Sequence, residues 1–233
     1  MALNKEVFKT RSLTAIVFVI VMLLGLFWNW WSFVILFAII HFGCWYEFVK
    51  LMKKIHGAKF FPYCLLGLLY ITMPLLMMVE LGVDWEIYTV NITNGILYSP
   101  LLPCIIIFSI WINDTMAYIV GSLIGKTPFS KISPKKTWEG TAGGAILCVA
   151  AMMLLAYLVP SIKAVLSLWD VAAIAAICAI FGTAGDLLES KIKRLAGVKD
   201  SGSFMPGHGG FLDRFDSLLV AKPFVWLYVW LFV

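Results

Sequence analysis

Charged residues are scarce in this sequence, and their scarcity argues against a soluble globular protein. Asp, Glu, Lys and Arg make up 13% of the 233 residues, whereas 62% are hydrophobic. A typical soluble domain contains about 25% charged residues, so this chain is too apolar to be one. No internal repeat or low-complexity linker interrupts it. We therefore expect an integral membrane protein with no nucleic-acid partner.

Cysteine is also infrequent, and its placement argues against a disulfide framework or a thiolate metal site. The sequence has neither a CxxC pair nor a spacing typical of metal ligands. All five cysteines lie within apolar segments, where they are expected to be small buried side chains: Cys44, Cys64, Cys104, Cys148 and Cys178.

Long apolar segments, by contrast, are abundant. A helix that crosses a bilayer core of about 30 Å needs about 20 predominantly apolar residues. Seven segments approach this length, at residues 12–28, 30–49, 60–79, 96–113, 140–159, 170–188 and 218–233. The sequence therefore predicts an all-α, polytopic membrane helical bundle of about seven transmembrane helices. The first segment follows basic residues, as in a signal peptide, but no small-residue cleavage site follows it, so we interpret it as a retained anchor.

The basic residues predict how these helices are oriented. If residues 96–125 contain one crossing, all but two of the 18 Lys and Arg residues fall on one side, which the positive-inside rule makes cytoplasmic. The N-terminus and the loops at residues 50–59, 126–139 and 189–217 are then cytoplasmic. A second crossing would break this pattern, so we interpret residues 114–125 as a helix end or a re-entrant segment.

Four acidic residues are predicted to lie near the cytoplasmic ends of the helices: Asp114, Asp186, Asp213 and Asp216. A carboxylate at a helix centre in the bilayer costs about 2.5–3.5 kcal/mol, so it normally pairs or lines a polar cavity. Near the interface, a snorkelling or salt-bridged acid is the alternative. Asp213 and Asp216 would share a helix face, and their oxygens suit Mg²⁺. The alternative for this pair is a solvated helix start, where the dipole favours acids.

A glycine-rich segment comes directly before these two acids. In Gly207-His208-Gly209-Gly210, residues without a Cβ let backbone amides approach a phosphate closely. A lone loop histidine is more often structural, but its place between glycines makes His208 a candidate phosphate contact.

A second polar segment, residues 121–140, combines flexible glycines with lysines and hydroxyls. Its members suit an anionic, multi-phosphate ligand, although no GxxxxGK[ST] motif occurs: Lys126, Lys131, Lys135, Lys136, Ser130, Ser133 and Thr137. A basic loop attracted to anionic lipid, at about 1 kcal/mol per charge, is the alternative. Lys135 and Lys136 stand just before Thr137 and Glu139 at the start of a span, which favours a binding site. Together with the acids, this segment indicates phosphoryl or nucleotidyl transfer to a lipid at the cytoplasmic surface.

Two sets of residues match the motifs of a known family. The first set is Ser190, Lys193-Arg194, Lys199-Asp200, Gly202, Pro206, His208-Gly209-Gly210 and Asp213-Arg214-Phe215-Asp216. The second is Asp114-Thr115, Ala117-Tyr118, Gly121, Gly125-Lys126 and residues 133–140. With these motifs, the chain resembles the phosphatidate cytidylyltransferases, also called CDP-diacylglycerol synthases. The resemblance covers about residues 100–220, so we expect residues 1–95 to be a scaffold and candidate dimer contact, and residues 96–233 to be the catalytic region.

The resemblance implies that CTP and phosphatidate give CDP-diacylglycerol and pyrophosphate, in a reaction that needs Mg²⁺ and could use a second, monovalent or divalent, cation. The phosphatidate oxygen would attack the α-phosphorus of CTP in line. The implied metal ligands are Asp213, Asp186 and Asp216, and the implied catalytic residues are Asp213, Asp186 and Lys199. The implied substrate contacts are Ser133, Lys135, Lys136, Thr137, Glu139, Arg194, His208, Gly209, Gly210 and Arg214. A homodimer in the cell (inner) membrane, with the active site facing the cytoplasm, is also implied.

Two other functions are compatible with the same residues. A CTP-dependent lipid kinase would transfer the γ-phosphate to a polyprenol-type alcohol and release CDP. An ion transporter would use the intramembrane acids as a pathway, but these acids are predicted at one face, and no inverted repeat is evident.

Overall fold

The computed structural model describes residues 5–84, 97–205 and 209–233. Most of these residues are helical, which confirms an all-α polytopic membrane protein. The helices are α1 (Lys5–Phe27), α2 (Trp30–His56), α3 (Phe61–Cys64), α4 (Met73–Gly82), α5 (Leu101–Ile124), α6 (Trp138–Leu158), α7 (Pro160–Lys163), α8 (Leu168–Leu195) and α9 (Leu212–Phe232). A 3₁₀ turn (Gly57–Lys59) follows α2, a π-helical segment (Leu68–Thr72) precedes α4, and β1 (Val83–Asp84) pairs antiparallel with β2 (Leu97–Tyr98).

Six helical segments in the described part of the chain are long and apolar enough to cross a membrane. They are Trp30–Lys59, Phe61–Gly82, Leu101–Ile124, Trp138–Leu158, Leu168–Leu195 and Leu212–Phe232. A further apolar stretch, Ser12–Phe27, is shorter. Because a helix rises 1.5 Å per residue, 24 residues such as those of α5 span about 36 Å, which exceeds the bilayer core. The total of seven crossings and the cytoplasmic N-terminus stay predictions.

The structure corrects the sequence-based boundaries of several helices. α2 continues to His56 and α8 to Leu195, past the predicted residues 49 and 188. α5 continues to Ile124 without a break, so residues 114–125 are not a separate re-entrant segment. Asp114 therefore lies in the middle of a helix and not at its end, where we had expected it. The polar residues after it do not end the helix because two hydroxyls bond to carbonyls of their own helix: Thr115 to Trp111 and Ser122 to Ile119. α9 begins at Leu212, ahead of the predicted residue 218.

The chain divides into two compact units. The first unit contains Met1–Pro100 and Ile192–Phe215, and the second contains Leu101–Lys191 and Asp216–Val233. One boundary lies directly before α5, and the other two fall inside α8 and α9. The functional division at residue 95 into scaffold and catalytic regions stays a prediction.

The core of the first unit forms where α1, α2 and α4 pack together. Gly25 makes the contact between α1 and α2 possible, since a Cβ there would lie 2.6 Å from Cδ2 of Leu36. Asn29 caps α2 in the turn between the two helices, in a capping box with Ser32. The buried side chains include Met22, Leu26, Phe33, Phe37, Ile40, Ile71 and Met78.

The second unit is built around the close packing of α5 on α6. A Cβ at Gly144 would lie 2.7 Å from Cα of Ala117, and one at Gly140 would lie 2.8 Å from the carbonyl oxygen of the same residue. These small residues thus serve helix packing. Four of the five cysteines are buried free thiols, as predicted, whereas Cys64 is a partly exposed one.

Candidate active site

Three acidic side chains come together in the second unit. Asp186 and Glu189 lie one turn apart on α8, and Asp216 lies in the first turns of α9. Each offers a carboxylate oxygen, and these oxygens all lie within 4.8 Å of one another. Glu189 is 1% exposed and Asp216 is 9% exposed, while Asp186 is partly open. We call these three residues the acidic cluster.

A close approach of α9 to α8 brings the acidic cluster together. A Cβ at Gly185 would lie 2.5 Å from the carbonyl oxygen of Asp216, so only glycine allows this approach. One turn earlier, Gly182 leaves room for Ser217. The rings of Phe181 and Phe224 stack further along the same two helices, with centroids 3.6 Å apart. The glycines therefore position the carboxylates.

The acidic cluster fits a divalent cation. Three carboxylates are hard oxygen donors, the ligand type that Mg²⁺ prefers, and Mg–O bonds of about 2.0–2.1 Å place ligands on opposite sides of the ion about 4.2 Å apart. At most one pair of three ligands can be opposite, and adjacent ligands are about 2.9 Å apart, so the carboxylate oxygens, which lie within 4.8 Å of one another, would move closer together around an ion. Ser190 donates its hydroxyl to Oδ1 of Asp186 at 3.2 Å, and the backbone N–H of Ser217 donates to Oδ1 of Asp216 at 2.6 Å. Such bonds orient ligating carboxylates.

A lysine from the loop between α5 and α6, which we call the basic loop, contacts the acidic cluster. Nζ of Lys136 forms an ion pair with Oδ2 of Asp186. Lys136 ends a short hairpin-like loop between α5 and α6, in which its carbonyl accepts from the Phe129 amide at 2.8 Å and its own amide donates to the Ser133 carbonyl at 3.1 Å. Lys135, the neighbouring residue, is exposed. The structure thus brings together three predicted site residues, Asp186, Asp216 and Lys136.

Glu139 and Thr137 hold this loop in place. The carboxylate of Glu139 accepts from the amides of Lys126 and Thr127 at 3.2 Å, and from the Thr127 hydroxyl at 2.8 Å. Thr137 is the N-cap of α6, since its hydroxyl accepts from the Gly140 amide at 3.1 Å. Both side chains therefore fix the conformation of the loop that carries Lys136.

Asp213 lies in the first unit and has other partners. Its Oδ1 accepts from Nζ of Lys193 at 2.6 Å, and both side chains are largely buried, at 7% and 12% exposure. Its Oδ2 accepts from the Ser201 amide at 2.9 Å and from the Gly210 amide at 2.7 Å. Asp213 is not among the acids that the described structure groups as candidate metal ligands. Its role as a metal ligand stays a prediction.

The other residues of the first unit that were predicted to contact the substrate lie between the end of α8 and the start of α9. Arg194, Lys199 and Arg214 are exposed, and Arg194 donates to the Val198 carbonyl at 3.2 Å. Gly209 has φ +83°, a left-handed conformation that favours glycine. The amide of the adjacent Gly210 is already donated to Asp213, as described above. His208 lies outside the described residues.

Sequence reasoning missed two acids. Glu189 stands three residues after Asp186, a spacing that places both on one helix face, so the signal was present. Glu47 is 3% exposed in α2 of the first unit, where its partners come from residues 201–212, more than 150 positions away. A single acid in an apolar helix is a signal for a polar environment, but spacing could not identify those partners.

Comparison with known proteins finds a family model and several relatives that match this chain. Residues 76–232 match the model described as the cytidylyltransferase family. The phosphatidate cytidylyltransferase of Staphylococcus haemolyticus is 37% identical over 165 residues, which are 69% of this chain and 56% of that protein. The corresponding enzyme of Staphylococcus saprophyticus is 45% identical over 115 residues, 49% of this chain and 43% of that protein.

A plant relative matches the chain with similar identity. Phosphatidate cytidylyltransferase 4, chloroplastic, of Arabidopsis thaliana is 44% identical over 117 residues, which are 50% of this chain and 29% of that protein. The chain spans about half the length, or less, of the curated relatives it matches.

Proposed function

The chain belongs to the cytidylyltransferase family, and from this premise we propose that it transfers the cytidylyl group of CTP to phosphatidate. The products are CDP-diacylglycerol, a precursor in phospholipid biosynthesis, and pyrophosphate. The observation that carries this proposal is the acidic cluster with Lys136 bound to one of its members. This arrangement combines oxygen ligands for a cation with a positive charge for a phosphate.

The acidic cluster and Lys136 have complementary tasks in this proposal. Asp186, Glu189 and Asp216 would hold Mg²⁺, which neutralises charge on the triphosphate and on the leaving pyrophosphate when it is bound. An ammonium group has three N–H donors, so Lys136 can keep its bond to Asp186 and still bind a phosphate oxygen. Because phosphoryl-type transfer depends mainly on positioning and electrostatics, a lysine held beside the metal ligands would favour reaction at the α-phosphorus.

Other residues are proposed to bind the substrates. Lys135 would add a second positive charge beside Lys136, and Ser133 and Thr137 would donate hydroxyls to phosphate oxygens. Glu139 would act through the loop whose amides it holds. In the first unit, Asp213 is proposed as a catalytic residue and a further metal ligand. The proposed residues for phosphate binding and catalysis there are Arg194, Lys199, His208, Gly209, Gly210 and Arg214.

We also propose the finer features that the family resemblance implies. The protein would be a homodimer in the cell membrane, with its active site facing the cytoplasm, where CTP is available. A second cation, monovalent or divalent, would accompany Mg²⁺.

The test is a reconstituted reaction. Purified full-length protein in lipid–detergent micelles is given CTP, Mg²⁺ and phosphatidate, and the lipid product is identified by mass spectrometry. The proposal predicts CDP-diacylglycerol and an equal amount of pyrophosphate, and neither product when diacylglycerol replaces phosphatidate. Product formation that does not depend on phosphatidate would refute the proposed acceptor.

A further inference from the structure

Glu47 binds both ends of the glycine-rich loop of the first unit, of which the structure describes residues 201–205 and 209–212. Its Oε2 accepts the hydroxyl of Ser201 at 2.7 Å and the amide of Leu212 at 3.0 Å. Its Oε1 accepts the amide of Phe211 at 3.0 Å. One side chain of α2 therefore joins the beginning and the end of this loop.

The loop and α2 are shaped to make this contact. A Cβ at Gly202 or at Gly210 would overlap the carboxylate of Glu47. In α2 itself, Gly43 lies one turn before Glu47, and a Cβ there would be 2.5 Å from two ring carbons of Phe211. In α2, Gly43 thus leaves space for the ring of Phe211, and the carboxylate of Glu47 accepts from the amides. The loop backbone lies close enough to α2 for both contacts.

The charge of Glu47 is compensated by the end of a helix. The first N–H groups of a helix have no acceptor inside that helix, and the helix dipole favours a negative charge there. The amides of Phe211 and Leu212 are such groups at the start of α9. A carboxylate buried in a membrane-spanning segment is costly without partners, so this contact stabilises both the acid and the helix start.

We propose that Glu47 is a positioning residue, which clamps the loop to α2 and holds Gly209 in the left-handed conformation needed to receive a phosphate of CTP. The identity of this ligand rests on the proposed function. The clamp itself rests on the hydrogen bonds and the glycine contacts described above.

The main test is the Glu47→Gln variant of the full-length protein. Glutamine keeps the size of the side chain but presents an NH₂ group to backbone donors. We expect the KM for CTP to rise about tenfold or more, since hydrogen bonds to a charged group are lost, and kcat to change less. We also expect faster tryptic cleavage after the exposed Lys199, because the adjoining loop is released.

A pair of glycine variants separates the clamp from general stability. Gly43→Ala should displace the Phe211 ring without changing any charge, and should raise both the KM for CTP and the cleavage rate. Gly82→Ala is the matched control, since it is in the same unit and its Cβ would lie 2.6 Å from the ring of Phe33. This control should lower stability and leave both readouts unchanged.

The possible outcomes decide the proposal. A folded Glu47→Gln protein with unchanged cleavage after Lys199, or with faster cleavage and an unchanged KM, would overturn it. If this variant does not accumulate, Gly43→Ala is judged by the same criteria. If the wild-type protein does not use phosphatidate, the proposed function fails. CTP binding by the variants is then compared through the CTP concentration that half-protects Lys199 from trypsin, in place of the KM. Absence of any protection would then overturn the positioning role as well.

Discussion

Lys136 of the basic loop forms an ion pair with Asp186 of α8, inside the second unit. The pair connects the segment that the sequence predicts to bind phosphate with an acid that it predicts to bind metal. The loop that carries the lysine is held by Glu139 and Thr137. The proposed cation-binding group and the proposed phosphate-binding group are therefore in contact with each other.

The first prediction concerns the two lysines. Replacing Lys135 and Lys136 together with glutamine should raise the KM for CTP at least tenfold and leave membrane insertion intact, because each lost charge-assisted contact is worth about 1.5–3 kcal/mol. The single variant Lys136→Gln should also change the Mg²⁺ requirement, since Lys136 contacts Asp186, whereas Lys135→Gln should not. Steady-state kinetics at varied CTP and Mg²⁺ measure both effects. An unchanged KM in the double variant would support the lipid-anchoring alternative for this loop.

The second prediction tests the acidic cluster. Glu189→Gln and Asp216→Asn each remove a charged oxygen ligand, so the Mg²⁺ concentration for half-maximal activity should rise by at least about tenfold. Asp170→Asn is the matched control on the same helix. Asp170 forms a capping box with Ser167 and accepts from the Tyr228 hydroxyl at 2.9 Å, so its loss should cost about 0.5–2 kcal/mol of stability with no change in Mg²⁺ requirement. If all three variants needed the same Mg²⁺ concentration as the wild-type protein for half-maximal activity, the acidic cluster would not be the metal site.

Local patterns predicted much of this fold, because hydropathy and charge are properties of short segments. The apolar segments and the basic loop were found in this way, as were Asp186 and Asp216. The hydropathy pattern predicted too early an end for the helix that contains Asp114, because a charged residue interrupts the apolar segment. In the structure the helix continues, since the hydroxyls after Asp114 bond to carbonyls of the same helix. The Lys193–Asp213 pair and the contacts of Glu47 depend on how distant segments pack, and spacing carries no information about that packing.

The third prediction separates two roles of Asp213. Asp213→Asn removes the charge that the buried ammonium of Lys193 contacts at 2.6 Å, and breaking a buried pair costs about 3–5 kcal/mol. The double variant Asp213→Asn, Lys193→Met should recover part of that stability. We expect activity to stay orders of magnitude below wild type in both variants, because a metal ligand needs the negative charge. Thermal unfolding and cytidylyl transfer are measured in parallel, and recovery of activity along with stability would limit Asp213 to a structural role.

The fourth prediction concerns orientation in the membrane. Lys54, Lys131 and Lys199 are exposed in the structure, and the distribution of basic residues puts all three in the cytoplasm. Each is replaced with cysteine in a cysteine-free background, and intact cells are treated with a membrane-impermeant thiol reagent. None should be labelled until the cells are permeabilised. Labelling of the cysteine at position 131 in intact cells would contradict the single crossing by α5.

The central claim is that the bond broken in CTP lies between the α- and β-phosphates. The direct measurement uses CTP labelled at the α-phosphorus in one reaction and at the γ-phosphorus in another, with phosphatidate, Mg²⁺ and purified protein. The account predicts that the α-label enters the lipid and the γ-label leaves as pyrophosphate. Transfer of the γ-label to lipid, with the α-label left in CDP, would contradict it and identify a lipid kinase.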